Sequence, residues 1–233
     1  TVSRADGGAF GGNISTSGTL TVTGGIVSPV TINGTTPTLT IGDAGAEDAK
    51  IVFDGNAQDF HIGLDDSADS LTIGLGSTLG TTSHMIFDAN GHITKPLQPA
   101  FSVNPASDQS NIAINTDVTV VFGNERFDQN ADFASNTFTA PVTGKYQMNV
   151  RIYFQQTDSA ATYIQLRLVT SNISYQCVID PDFGQDAVYW TMELTQLADM
   201  DANDTAYVVV NQSGGSAQAD IVTASFFSGF LVA

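Results

Sequence analysis

The sequence predicts an all-β protein with two parts, an extended β-repeat stalk over residues 1–95 and a globular head over residues 96–233. Three observations support this prediction. The large aromatic residues are concentrated in the second part, short repeats occupy the first, and the head contains segments in which apolar and polar residues alternate. No ten-residue window has the apolar stripe of an amphipathic helix.

Glycine and the large aromatic residues divide the chain near Pro96. Residues 1–98 contain sixteen of the 22 glycines and four of the fourteen phenylalanines. Residues 99–233 contain all six tyrosines, the single tryptophan and the other ten phenylalanines. Because large aromatic side chains supply much of a compact core, the second part is predicted to be globular. The sequence ITKPLQPAF, which includes Pro96 and Pro99, marks the boundary.

Short repeats characterise the first part. LTIGD at Leu39–Asp43 recurs as LTIGL at Leu71–Leu75, IVFDGN at Ile51–Asn56 recurs as MIFDAN at Met85–Asn90, and LTVTG at Leu20–Gly24 is a weaker copy. Each unit contains two short runs of strand-forming residues, and two short strands alone are marginally stable in water. Such repeats gain stability by stacking or by association with identical chains. We therefore expect a stalk that several chains form together.

Regular alternation predicts the strands of the head. In Lys145–Phe154, five apolar residues fall on one face and polar residues on the other, which is the period of a half-buried strand. Short runs separated by turn sequences such as DPDFG and NQSGG predict a sandwich or barrel. The predicted strands are Val118–Phe122, Thr137–Ala140, Lys145–Phe154, Tyr163–Val169, Tyr175–Ile179, Val188–Leu194, Ala206–Asn211 and Asp220–Leu231.

Three blocks of the head occur in the order of a known family. The segment FxxNTFTAPVTGKY, with Phe138, Pro141, Gly144 and Tyr146, resembles the signature of the complement one-q globular head, and DANDTAYVVV and SFFSGFLV follow in order. That domain is one of the tumour-necrosis-factor-like jelly rolls. The resemblance covers about residues 97–233 and implies a jelly-roll sandwich of about ten strands that assembles as a homotrimer. The residues expected to pack in the core or between subunits are Phe138, Tyr146, Phe227 and Phe230.

The first part resembles a second class of protein. A Gly- and Asp-rich β-repeat stands where complement proteins have a collagen-like tract, which is similar to the tail or head fibres of bacteriophages. This resemblance implies an exposed, extracellular virion protein whose head binds a host surface glycan or protein. Other virion proteins would be partners on its N-terminal side. Receptor-binding residues are not assigned, but specificity is expected in loops such as Phe183–Ala187 and Gln212–Ala219.

Charge excludes two classes of partner. The chain has 24 acidic and seven basic residues, a net charge of −17. Nucleic-acid binding requires clustered lysine and arginine, and here the seven basic residues are scattered. An anionic membrane surface would also repel the chain, and no run of eighteen apolar residues predicts membrane insertion. We therefore expect no nucleic-acid partner.

The sequence identifies no set of catalytic residues in the head. Its lack of histidine removes Ser-His-Asp and Cys-His arrangements within one head, so no catalytic residue and no enzymatic activity are predicted. The single cysteine, Cys177, forms no intrachain disulfide and is expected to be buried. The acidic residues that occur close together in turn-like sequence are Asp65, Asp66 and Asp69, then Asp180 and Asp182, and finally Asp199, Asp201 and Asp204.

Most of these carboxylates are expected to be solvated turn residues. No cofactor is required, but Asp180 and Asp182 are the candidate calcium ligands, since calcium binds hard oxygen donors and would relieve repulsion between acidic subunits. His61, His84 and His92 would each be triplicated around a three-fold axis, where three imidazoles can hold a transition metal; a packing or exposed role is favoured.

Four functions remain open at this point. The leading hypothesis is a trimeric phage tail or head fibre whose head binds a host receptor. The alternatives are a purely structural decoration or trimerisation module, a polysaccharide depolymerase that uses two carboxylates, and a secreted bacterial adhesin. Because the sequence begins at Thr1, we expect either processing or an upstream segment.

Overall fold

A five-stranded antiparallel sheet and a two-sheet sandwich account for the strands within residues 29–233. The computed structural model describes residues 29–233, of which residues 44–233 belong to one compact unit. Residues 29–48 contain no strand. The prediction of a strand at Leu39–Asp43 is therefore wrong. The side chains of Leu39 and Ile41 are exposed, and no neighbouring strand covers them. The copy at Leu20–Gly24 lies outside the described residues.

The N-terminal sheet is a meander in which each strand pairs with the next along the chain. Its strands are β1 (Ala49–Phe53), β2 (Phe60–Asp65), β3 (Ser70–Leu75), β4 (Ser83–Phe87) and β5 (Ile93–Thr94). A short 3₁₀ turn, Asp66–Ala68, connects β2 to β3, and the Asp65 carboxylate caps it by accepting a hydrogen bond from the Ala68 amide. The copies at Ile51–Asn56, Leu71–Leu75 and Met85–Asn90 contribute to β1, β3 and β4, which are all part of this one sheet.

The head is a sandwich of two six-stranded antiparallel sheets, which confirms the all-β prediction. In one sheet the order is β14-β11-β17-β6-β8, with β16 beside β11; in the other it is β13-β12-β15-β10-β9, with β7 beside β15. The strands are β6 (Ala100–Asn104), β7 (Asp117–Thr119), β8 (Asn124–Asp128), β9 (Phe133–Ala134), β10 (Thr137–Thr139), β11 (Gly144–Thr157), β12 (Tyr163–Thr170), β13 (Ser174–Ile179), β14 (Ala187–Met200), β15 (Thr205–Ser213), β16 (Asp220–Ile221) and β17 (Phe226–Leu231).

Aromatic packing fills the space between the two sheets of the head. The ring of Phe101 stacks on Phe138 at 4.8 Å and on Phe133 at 5.3 Å, and it meets Phe227 edge-on at 4.9 Å. Such pairs stabilise a core beyond the area that they bury. Gly229 allows the close approach of β17, since a methyl group there would lie 2.5 Å from the Met148 sulfur.

The residues singled out for packing lie on both faces of the sheets. Phe138, Tyr146 and Phe227 are fully buried, and the Tyr146 hydroxyl donates a 2.7 Å hydrogen bond to the Val142 carbonyl. Burial raises the pKa of Tyr146 above its usual range. Phe230 faces away from the core with 47% of its surface exposed, so it can pack only against something outside this sandwich. Cys177 is half-buried against the core.

The predicted last strand is wrong in one respect, because Asp220–Leu231 is divided into β16 and β17. Between them the Ser225 amide donates to the Val222 carbonyl, and the buried Ser225 hydroxyl accepts a 3.0 Å hydrogen bond from the Tyr153 amide. The Ser225 hydroxyl thus takes the place of a backbone acceptor for β11. Because β11 keeps a hydrogen-bond partner here, the chain can leave the sheet in a turn. Among residues 29–233 there is no helix long and apolar enough to cross a membrane.

Candidate ligand-binding cleft

Four connections meet at one end of the head. They are the segments before β7, between β11 and β12, between β13 and β14, and between β15 and β16. Backbone and side-chain hydrogen bonds join them: the Gly214 amide donates to the Asn115 carboxamide at 2.8 Å, and the Thr162 amide donates to the Ser213 carbonyl at 2.7 Å. Ligand-binding residues are commonly carried on loops that a rigid scaffold holds in this way.

The loop between β13 and β14 has the residues of a tight turn. The Asp180 carboxylate accepts a 3.2 Å hydrogen bond from the Asp182 amide, and Gly184 has a φ of +74°, which favours glycine. The turn directs the exposed ring of Phe183 back over β14, where it stacks on the Trp190 ring at 4.8 Å with an interplanar angle of 29°. The loop is therefore closed by an aromatic pair rather than by a salt bridge.

These aromatic rings line a cleft of about 390 Å³. Its lining comprises Phe183, Gly184, Gln185, Asp186, Ala187, Tyr189 and Trp190. The cleft thus presents aromatic faces beside one carboxylate and one carboxamide. Ligand sites of proteins typically combine an apolar or aromatic lining with a few polar groups that fix orientation.

Trp190 and Tyr189 reach the cleft from opposite faces of β14. Trp190 pairs with the buried Phe154 of β11 and packs at the edge of the core, whereas Tyr189 points outward and stacks on Tyr153 at 5.9 Å. The Trp190 indole Nε1–H has no hydrogen-bond partner within the protein. Indole N–H groups usually have a partner when they are removed from solvent.

Asp186 ties the cleft to the neighbouring loops. It accepts hydrogen bonds from the Ser159 amide at 2.9 Å, from the Ser159 hydroxyl at 2.8 Å and from the Gln218 carboxamide at 2.9 Å. The Ser159 amide, followed by Gln218 and the Ser159 hydroxyl, lowers the pKa of Asp186 below its usual range. Asp186 is therefore ionised at neutral pH and holds three segments of the chain together.

The next layer of support is a buried carboxylate. Asp158 accepts hydrogen bonds from the Ala160 amide at 2.8 Å and from the Ser216 amide. Gly215 is required beside it, because a methyl group there would lie 2.6 Å from Asp158 Oδ2 and the residue has a φ of +73°. The loops around the cleft are thus held by fixed hydrogen bonds.

A second cleft lies at the other end of the sandwich, and two of the clustered carboxylates, Asp199 and Asp201, contribute to its lining. It measures about 210 Å³ and is lined by Asn172, Ile173, Tyr175, Asp199 and Asp201. Asp204, next to it, accepts a 2.7 Å hydrogen bond from the Asn172 carboxamide, and Asp199 forms an ion pair with Lys145. These carboxylates are partnered by groups of the protein.

The structure does not bring the candidate metal ligands together. Within residues 29–233, no three His, Cys, Asp or Glu side chains are placed to hold a metal ion. Asp180 uses one oxygen to accept the Asp182 amide, and a calcium ion takes six to eight oxygens. Residues of one chain therefore do not form a complete calcium site, and calcium binding at Asp180 and Asp182 remains a prediction.

The three histidines also lie apart. His61 is buried with its Nδ1 atom 2.8 Å from the Gly76 carbonyl, His84 meets Phe60 edge-on at 6.1 Å, and His92 pairs with Asp88 at 2.8 Å. Asp88 has a pKa below its usual range because of that hydrogen bond from His92. A metal site built from several copies of one histidine stays a prediction.

Comparison with known proteins identifies the head. The family model described as the C1q domain matches residues 100–232, which is more than half of the chain. The chain belongs to the C1q-domain family. C1q domains often form trimers and typically serve as binding or structural modules.

Solved structures similar to the C1q domain of this chain come from two kinds of protein. The globular domain of the zebrafish complement 1qA protein is 20% identical, with a TM-score of 0.44, and the match covers 58% of this chain and 98% of that one. Two structures of murine APRIL, at pH 8.5 and pH 8.0, are 8% and 9% identical with TM-scores of 0.43 and 0.44, and each covers 58% of this chain and 99% of that chain. No curated protein matches.

Proposed function

We propose that this protein is a non-enzymatic, homotrimeric adhesion protein whose C1q domain binds a surface glycan in the cleft lined by Phe183, Tyr189 and Trp190. The observation that carries the proposal is the Phe183–Trp190 stack, which lines the cleft together with the exposed ring of Tyr189. A sugar ring has one face of C–H groups, which packs on an aromatic ring, and hydroxyl groups at its edge, which can form hydrogen bonds with the polar groups of the cleft.

The polar groups of the cleft suit a neutral or cationic sugar. Asp186 and Gln185 can accept and donate hydrogen bonds at the edge of a ring, and the chain's net charge of −17 disfavours a strongly anionic polymer. Glycoside hydrolysis uses a pair of carboxylates on the two sides of the bond. The cleft is lined by one carboxylate, Asp186, and this supports binding rather than cleavage.

The wider setting is part of the same proposal. A β-rich segment of repeats followed by a C1q domain is the arrangement expected of a fibre, and we propose that the protein is an exposed fibre of a bacteriophage particle. A purely structural decoration is the alternative. Immunogold labelling of intact particles tests this placement, with label at a tail tip or capsid surface as the expected result.

The glycan proposal is tested by binding of the full chain to an array of immobilised oligosaccharides. Trp190 is the only tryptophan, so its fluorescence emission reports directly on the cleft and should shift when a bound saccharide is added in solution. The variant Phe183→Ala should abolish both signals. Phe127→Ala is the matched control, because Phe127 is an exposed phenylalanine of the same domain on β8.

Two outcomes contradict the proposal. Absence of binding to every saccharide on the array would favour the structural alternative. Binding that survives Phe183→Ala but is lost in Phe127→Ala would place the ligand elsewhere on the head.

A further inference from the structure

The two faces of the sheet β1–β5 differ sharply in composition. Residues directly opposite each other in a sheet share a face, and the register aligns apolar residues with apolar residues across all five strands: Ile51 with Ile62, Ile62 with Ile73 and Ile73 with Met85. We call this side the apolar face. Its residues are Ala49, Ile51, Phe53, Phe60, Ile62, Leu64, Leu71, Ile73, Leu75, Met85, Phe87 and Ile93.

The opposite face is covered by the chain itself. It carries small and polar residues, including Ser70 and Thr72, and both are buried. The loop between β3 and β4 lies over it: the Leu75 amide donates to the Thr82 carbonyl at 2.9 Å, and a methyl group at Gly80 would lie 3.0 Å from Asp65 Oδ2. The sheet therefore has one face that the chain itself partly covers, and that face also carries Lys50, Val52, His61 and Ile86.

The apolar face has no such cover within the described chain. Phe53 is 60% exposed and Ile93 56%, and four more of its side chains, Ile51, Phe60, Leu64 and Leu71, are between 41% and 46% exposed. Aromatic side chains bury on the order of 150–250 Å² each, so these twelve residues leave several hundred Å² of contiguous apolar surface. A monomer rarely exposes more, and larger patches mark interaction sites.

Charge is excluded from this face. The chain carries 24 acidic residues, yet no Asp, Glu, Lys or Arg is among the twelve residues of the apolar face. Lys50 and Asp65, which belong to these same strands, lie on the other side. A chain with net charge −17 can approach an identical chain more readily through a surface that carries no charge.

The link to the head brings copies of the sheet together. The Gln129 side chain donates to the carbonyls of Lys95 at 2.9 Å and Gln98 at 2.7 Å, and the Leu231 amide donates to the Pro99 carbonyl at 3.0 Å. The segment between sheet and head is therefore fixed to the head by hydrogen bonds. In a trimer of heads, three sheets would be held at a high effective concentration.

We infer that the apolar face of β1–β5 packs against the apolar faces of two further copies of this chain. Three sheets then enclose a shared apolar core, with the loop-covered faces outward. The inference rests on the proposed homotrimer and specifies what the N-terminal sheet does in it. Each chain supplies one of three sheets, and the apolar face of each sheet is covered by the other two.

Adjacent residues of β1 provide a matched test. Lys50 and Ile51 are both exposed in the single chain but point to opposite faces. In a Cys177→Ser background, the full chain carrying Lys50→Cys or Ile51→Cys is treated with a maleimide reagent, and its mass is measured by light scattering. Lys50→Cys should react rapidly, and Ile51→Cys should react at least about tenfold more slowly. In urea the two thiols should react equally.

A second variant keeps the test informative about the sheet itself. Ile62→Asp combined with Ile73→Asp places charge at the centre of the apolar face, and it should remove the protection of Ile51→Cys while the Trp190 emission of the head stays unchanged. Trimers with equally reactive Lys50→Cys and Ile51→Cys would overturn the inference and leave the trimeric head standing. A protein that is monomeric throughout would overturn the trimer and, with it, the inference.

Discussion

The C1q domain and the sheet β1–β5 are both built from antiparallel strands with regular alternation, but they bury their apolar residues in different ways. In the domain, β11 directs Tyr146, Met148, Val150, Ile152 and Phe154 against a second sheet of the same chain. In β1–β5 the corresponding apolar residues face outward. Strand alternation therefore shows which side of a sheet must be covered, and not whether the cover comes from the same chain.

Truncating an aromatic residue in each region should give the largest contrast. Phe101→Ala removes a ring that contacts three other phenylalanines in the core, and it should lower the free energy of unfolding of the head by about 3–5 kcal/mol. The matched change Phe53→Ala, at a residue 60% exposed within one chain, should leave the unfolding of the head unchanged. Urea denaturation followed by Trp190 fluorescence measures both.

Either of two results would contradict this contrast between the head and the sheet β1–β5. Equal destabilisation of the head by Phe53→Ala and Phe101→Ala would mean that the sheet and the head share one core. A loss below about 1 kcal/mol for Phe101→Ala would show that this core relaxes around the cavity far more than cores usually do.

A pH experiment should give a smaller effect within the head. The Asn211 carboxamide and then Arg167 lower the pKa of Asp117, so its contribution to stability is present above the unfolded pKa and is lost as pH falls through the folded pKa. Asp117 is 54% exposed, which limits the effect to about 1 kcal/mol. Asp117→Asn should therefore be less stable than the wild type at pH 7 and equal to it near pH 2.

Asp132 is the matched control, since burial, with Asp128 nearby, raises its pKa. Its charge opposes folding above the folded pKa, so Asp132→Asn should change stability at pH 7 in the direction opposite to Asp117→Asn. If the two variants shift stability in the same direction at pH 7, the local causes assigned to these pKa shifts are wrong.

The smallest expected effect is local to the cleft. Asp186→Asn weakens the acceptor for the Ser159 amide and hydroxyl, so the Ser159 amide should exchange its hydrogen faster while the core strands keep their exchange rates. Hydrogen exchange followed by mass spectrometry measures this. Unchanged exchange at Ser159 would contradict a role for Asp186 in joining the loops.

Much of the head could be predicted from the sequence, because its long strands carry strong alternation. Strand β6 and the edge strand β8 beside it were not predicted: AFSVN is short, and NERFD is mostly polar with all but its last residue exposed. The loop between β13 and β14 was expected to carry specificity, but the cleft itself depends on contacts between Asp186, Ser159 and Gln218. These residues are 27 and 32 positions apart, a distance over which sequence patterns give no contact information.

The repeats of the first part gave a weaker prediction for a related reason. Their strand-forming runs were visible, but the register that places twelve apolar residues on one face depends on how β1–β5 pair. The copy at Leu39–Asp43 shares the residues LTIG with Leu71–Gly74 of β3 but forms no strand. Pairing with neighbours, rather than local propensity, determines which copies become strands.

The mass of the full chain in solution tests the central claim most directly. If the apolar face of β1–β5 and the C1q domain both assemble around three chains, light scattering at micromolar concentration should give three times the mass of one chain. A particle with the mass of a single chain, with the apolar face open to solvent, would contradict the account.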